Sequence, residues 1–218
     1  MKREHVNTSK SAPQVVNMLP EFVPENWVFD RITLVNGHYD KSYYPGQSNV
    51  PDGNIMVVYP SGAYPETYMY PIESLYPYLI VGDTYYIRFH ARKENVSTTG
   101  SGNWSSNNLN VNYEYFFPEL ANSWANNINN GSTTSWYKYS TKYTPTSSQW
   151  PGQTVTNGKY KWRFDCNNNR KYVRYLCLGD FMFINLSECY TRQGYSIPST
   201  SILNSKPYFF GSIDLESW

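Results

Sequence analysis

TYYIRFHAR, residues 84–92, is the stretch whose alternation decides the fold. Tyr85, Ile87, Phe89 and Ala91 fall on one side, and Tyr86, Arg88, His90 and Arg92 on the other. A period of two marks a strand, here with one apolar and one mixed face. Gly82-Asp83 supplies a turn just before it. Outward from this strand the same grammar repeats. WVFDRITLV (27–35) runs into Asn36-Gly37, a tight-turn signal. NIMVVY (54–59) follows Pro51-Asp52-Gly53, and LNVNYEYFF (109–117) alternates again. SWYKYSTKY (135–143), KYKWRFD (159–165) and KYVRYLCL (171–178) are further strand candidates, and DFMFINL (180–186) reads as a short buried strand.

Roughly nine or ten short strands punctuated by turns predict an all-β protein, an antiparallel β-sandwich of the jelly-roll kind. No fixed-period repeat is visible, which excludes a propeller or solenoid. The domain reading is an extended N-terminal arm over 1–20, a jelly-roll domain over 21–190 and a C-terminal extension over 191–218. Pro13 and Pro20 keep the arm extended, so it is expected to be disordered or ordered against a neighbouring subunit. The stretch PSGAYPETYMYPIESLYP (60–77), with four Pro and four Tyr, is expected to run extended across a surface, or else to be an ordinary long loop. Residues 95–108 and 118–134 read as polar loops, the second with one short helical turn.

Composition agrees. Of 218 residues 18% are aromatic, 22 are Tyr and 23 are Asn, and only 16% are charged. Tyr, Thr, Val, Ile and Trp favour strands, and Asn, Gly and Pro favour turns. The formal net charge of +1 gives no broad attraction to nucleic acid or to an anionic membrane. No run of about 18 apolar residues predicts a membrane span. The opening MKREHVNTSK is basic and polar without an apolar core, so no secretory signal peptide is read. The chain is then expected to stay in a cytoplasm or to leave by a route such as a virus particle released by lysis.

Chemical motifs are sparse. Cys166, Cys177 and Cys189 form no CxxC pair and read as small buried hydrophobes, with one disulfide as the alternative. His5, His38 and His90 belong to no HExxH or HxH pattern, and no nucleophile elbow or phosphate loop is present. Glu114, Glu119, Asp165 and Asp180 are the carboxylates available to a glycosidase pair, though surface charge or loop anchoring is the expected role. Asp40 and Asp52 are isolated, so no metal site is expected, and no cofactor is implied. Lys159, Lys161, Arg163, Arg170, Lys171 and Arg174 read as a solvated face, with an acidic partner as the second reading.

The order of several features resembles the jelly-roll carbohydrate-binding modules also found in bacteriophage tail and other virion proteins. Asn17-Met18-Leu19-Pro20 precedes Trp27, and Gly82-Asp83-Thr84-Tyr85 leads into IRFHARK (87–93). SWYKYSTKYT (135–144), YKWRFD (160–165) and Gly179-Asp180-Phe181-Met182-Phe183-Ile184 follow in order. The match runs from about Asn17 to Leu186. It departs from the pattern in the long Asn-rich loops and in the last 30 or so residues.

The resemblance implies a non-enzymatic virion structural protein at a tail, baseplate or head surface. It would be a homo-oligomer among other virion proteins, with assembly and attachment to a cell-surface polysaccharide as the uses of the domain. A cellular carbohydrate-binding module and a glycan-cleaving enzyme are the alternatives. Sugar binding needs flat aromatic faces and amide or carboxylate partners for hydroxyls. Trp104, Trp124, Trp136, Tyr137 and Trp150 are the candidate stacking residues, and Asn103, Asn107, Asn126 and Gln149 the candidate hydroxyl partners. The same aromatics serve equally at protein interfaces.

Overall fold

The computed structural model describes residues 13–30, 32–60, 66–72, 78–94, 111–113, 136–146, 155–157, 162–165 and 175–218. The alternating stretch forms β7 (Tyr85–Glu94). It pairs on one side with β12 (Tyr175–Asn185) and on the other with β9 (Tyr137–Tyr143). Beyond β12 lie β4 (Ile55–Pro60) and β3 (Ile32–Tyr39), completing a five-stranded sheet of order β3-β4-β12-β7-β9. A four-stranded sheet follows the order β2-β5-β11-β8, from Trp27–Asp30, Glu66–Pro71, Trp162–Asp165 and Val111–Tyr113. Two short ribbons join β6 (Tyr78–Ile80) to β10 (Val155–Asn157), and β1 (Gln14–Val16) to β13 (Ser212–Asp214). Each of these pairings is antiparallel.

The pairings are nested: β4 with β12, β5 with β11, β6 with β10 and β7 with β9. One antiparallel ribbon therefore folds over on itself, passing from sheet to sheet. That wrap is the jelly roll expected from the sequence. The two larger sheets face each other across one core. Trp27 and Met69 enter it from the four-stranded sheet, and Met56, Ile87, Phe89, Leu178 and Phe183 from the five-stranded one. Phe181 lies at the centre, its ring stacked on Phe89 at 5.3 Å and tilted against Phe22 at 4.6 Å. Each such side chain contributes roughly 1.5–3 kcal/mol by leaving water.

The apolar face of β7 points into this core, as its alternation predicts. Its mixed face is buried too. Residues 186–218 fold across it as helix α1 (Leu186–Cys189), helix α2 (Thr200–Ser205) and β13. Tyr86, Met182, Ile184, Leu186, Leu203 and Trp218 form a second core there, with Val15 of β1. Residues 13–20, read from sequence as the end of an arm either disordered or ordered against a neighbouring subunit, are part of the same chain's fold. Val15 is fully buried, and Leu215 N donates to the Pro13 carbonyl at 2.8 Å. Asn17 is buried with both ends of its amide engaged. Its Nδ2 donates to the carbonyls of Phe181 and Phe209, and its Oδ1 accepts from the N–H of Leu19 and Phe183. Residues 1–12 lie outside the described residues.

Three local expectations change. Asn36-Gly37 is no hairpin turn: β3 runs through it, and the register against β4 shifts between Leu34 and His38. KYVRYLCL and DFMFINL supply one strand, β12, whose register against β7 breaks between Gly179 and Met182. Within 60–77, Glu66–Pro71 is a strand between β2 and β11, with Met69 fully buried. Pro71 ends the strand opposite Trp27, and the next N–H, of Ile72, donates to the Asn26 carbonyl at 3.0 Å.

Candidate functional site

Charged side chains gather where the five-stranded sheet meets the 186–218 segment. The two-residue period of β7 puts Tyr86, Arg88 and His90 on that face, and β9 adds Lys138 and Lys142. Arg88 Nη1 donates to the Lys206 carbonyl at 2.7 Å, and Lys138 Nζ to the Asn204 carbonyl at 3.0 Å. Lys142 Nζ donates to the Pro198 carbonyl, and the Tyr86 hydroxyl to Asn204 Oδ1 at 2.7 Å. Irregular backbone carries carbonyls that no ladder satisfies, and basic side chains supply the missing donors.

His90 and Asp180 form a buried pair on this face, 3% and 1% exposed. Opposite His90 in the register stands Gly179; the break after it inserts Asp180, with φ of 51°, beside the imidazole. His90 Nδ1 lies 3.0 Å from Asp180 Oδ2. The carboxylate also accepts from the N–H of Asp52 at 2.9 Å and of Gly53 at 2.8 Å, so it anchors the 51–54 loop. Burial works to raise the Asp180 carboxyl, but His90 and the two N–H groups outweigh it and hold it below the usual carboxylate value. Burial lowers the His90 imidazole; Asp180 opposes that, and the nearby Arg88 and Lys138 charges add to it. A neutral imidazole beside an ionised carboxylate is the resulting state. Tyr208 packs against Gly53 and Asp180, and burial pushes its phenol up. Asp180 is thus a loop anchor rather than a solvent-facing carboxylate.

A groove of about 380 Å³ opens on the outer side of the 186–218 segment. Tyr190 and Leu215 belong to the second core and also line this groove. The turn carrying Tyr195 is held by its N–H donating to the Tyr190 carbonyl at 2.9 Å, with Gly194 at a φ of 85°. Only glycine takes that left-handed conformation at little cost. Ser199 caps α2 by accepting from Ile202 N. Tyr195 and Ile202 stay 51% and 52% exposed at the groove, joined there by Ser196, Lys206 and Glu216. Lys206 Nζ donates to the Trp218 carbonyl.

The aromatic residues singled out from sequence fall elsewhere. Trp136 is 3% exposed, packed edge-on against Tyr44 at 5.2 Å in a third core patch with Ile55, Val57 and Cys177. It has no open face for a sugar ring, which corrects that expectation: the strand β9 begins at the next residue and turns the indole inward. Tyr137 is half-buried against the main core. Trp104, Trp124, Trp150, Asn103, Asn107, Asn126 and Gln149 lie outside the described residues, as do Cys166 and, of the carboxylates, Glu114 and Glu119. Cys177 and Cys189 are buried, the Tyr44 hydroxyl donating to Cys177 Sγ at 3.4 Å, and burial pushes Cys189 up to about 12. Among the described residues no cluster of three or more His, Cys, Asp or Glu could hold a metal. Nor is any helix among them long and apolar enough to cross a membrane.

No family model matches the chain, and no curated protein does. Among solved structures, the chain is similar to an arabinose-bound α-L-arabinofuranosidase. That match has a TM-score of 0.43 and 13% identity, and covers 79% of this chain and 26% of that one.

The groove residues were not candidates from sequence. Tyr190 and Tyr195 on either side of the Thr191–Gly194 stretch are a visible signal, but they lie at and just beyond the end of the jelly-roll reading, where no motif was read.

Proposed function

We propose that the protein is a non-enzymatic structural protein of a bacteriophage particle, placed at its tail, baseplate or head surface. In this reading its carbohydrate-binding-like jelly roll serves assembly and attachment to a host-surface glycan. The observation that carries it is where the residues of the resemblance fall. Asn17 clamps β12 and the 209 carbonyl, and Trp27 fills the inter-sheet core. Gly82, with φ of 93°, makes the turn into β7, and Asp180 sits at the β12 irregularity. These residues act as framework for the nested ribbon rather than as isolated matches.

The test is light-scattering mass of the full-length chain, combined with a turnover assay on a polysaccharide panel. A trimer or higher oligomer without turnover is the expected result. A monomer that hydrolyses a glycan overturns the proposal. The groove favours a second reading, a cellular carbohydrate-binding module; a monomer that binds sugar without cleaving it selects that reading.

A further inference from the structure

We propose that the groove on the 186–218 segment is a binding site for a neutral saccharide. The proposal rests on the glycan-binding part of the function above, and it places that binding in the segment outside the jelly roll. Its chemistry has three parts. Tyr195 offers an exposed ring beside an apolar floor of Tyr190, which suits the C–H face of a pyranose. Ser196, Lys206 and Glu216 add a hydroxyl, an ammonium and a carboxylate within the same lining, so sugar hydroxyls find both donors and acceptors. The two charges have opposite sign, which matches a polar ligand without net charge better than an anion or a lipid tail. An anion would meet Glu216, and a purely apolar ligand would desolvate both charges without pairing them.

The site is also prepared. Tyr190 and Leu215 belong to the second core, and the Tyr195 turn is fixed by backbone hydrogen bonds. Its volume of about 380 Å³ is in the range of small-molecule sites, roughly 300–1,000 Å³. A proline-rich peptide is the competing occupant. Such ligands lie across several aromatic ridges, and at this groove the large exposed aromatic is Tyr195.

The experiment is saturation-transfer NMR followed by calorimetry on the full-length protein. The probes are glucose, galactose, N-acetylglucosamine and arabinose, each with its short oligomers, and a proline-rich decapeptide. Binding of at least one saccharide is expected, with Tyr195→Ala weakening it at least tenfold and Glu216→Gln weakening it severalfold. Tyr43→Ala, which removes an exposed ring outside the groove, is expected to leave affinity unchanged. Circular dichroism and Tm check that each variant folds. No saccharide signal, an unchanged affinity in Tyr195→Ala, or groove-dependent binding of the peptide alone overturns the inference. An oligomer of full mass that binds no sugar sinks this site and leaves the virion reading standing. A monomer whose sugar binding depends on Tyr195 does the reverse.

Discussion

At the scale of single residues, the His90–Asp180 pair ties stability to pH. Asp180 has a folded value below its unfolded 3.8, so its contribution is present above that value and is lost as pH falls through the folded one. His90 is also lowered, from 6.5, because its neutral form is the one the interior accepts. Its contribution is therefore full above 6.5 and declines as pH drops below it. Both signs run the same way: the protein loses stability on acidification, beginning below about 6.5. His90→Gln leaves a neutral polar side chain beside Asp180 but removes the titration. The variant is expected to have a lower Tm at pH 7.5 and a flatter Tm profile between pH 6.5 and 4.5. A wild-type slope retained in the variant would assign the effect to other groups. Sequence placed His90 on the mixed face of its strand and Asp180 among the acids, but their meeting depends on a register that neither stretch encodes alone.

At the scale of elements, β12 joins the sheet and the loop. Gly179 stands where the ladder with β7 breaks, and a Cβ there would meet Pro51 Cβ and Cγ at 2.7 Å and the Asn54 carbonyl at 3.0 Å. Those neighbours are a ring and a backbone atom, which yield poorly. Gly179→Ala is expected to cost about 1–3 kcal/mol in chemical denaturation, with the 51–54 amides exchanging faster than in wild type. A neutral effect would mean that the loop moves freely away from Asp180. Strand existence and facing were legible here, because alternation in β7 and apolar content in β12 are local properties. The irregularities were not. KYVRYLCL and DFMFINL read as two strands, yet the ladder to β7 resumes at Met182 and makes them one; Asn36-Gly37 reads as a hairpin, yet the ladder to β4 resumes at His38 and keeps it within β3. In both places long-range pairing overrides the local signal.

At the scale of the molecule, the five-stranded sheet is covered on both faces, by the four-stranded sheet and by the 186–218 segment with β1. The reading from sequence was an antiparallel sandwich in which β7 has one apolar and one mixed face, with no cover assigned to the mixed one. Tyr86, Arg88 and His90 look like surface residues until the carbonyls of the later segment are present to receive them. The candidate groove was illegible for the same reason, since its lining comes from Pro13, 190–206 and 215–216, brought together only when that segment folds back. The segment is therefore expected to have stability separable from that of the inter-sheet core. Leu203 of α2 is fully buried and belongs to the second core, not the first. A carboxylate there costs about 3 kcal/mol, or roughly 6–12 °C in Tm for a chain of this size. Leu203→Asp is expected to raise hydrogen exchange across 186–218 and at the β1–β13 pairing, while β5 and the core-facing positions of β7 keep most of their protection. Saccharide binding should fall with it. If exchange rises uniformly through both sheets instead, the second core is no separate unit, and the jelly roll depends on the later segment for its own folding.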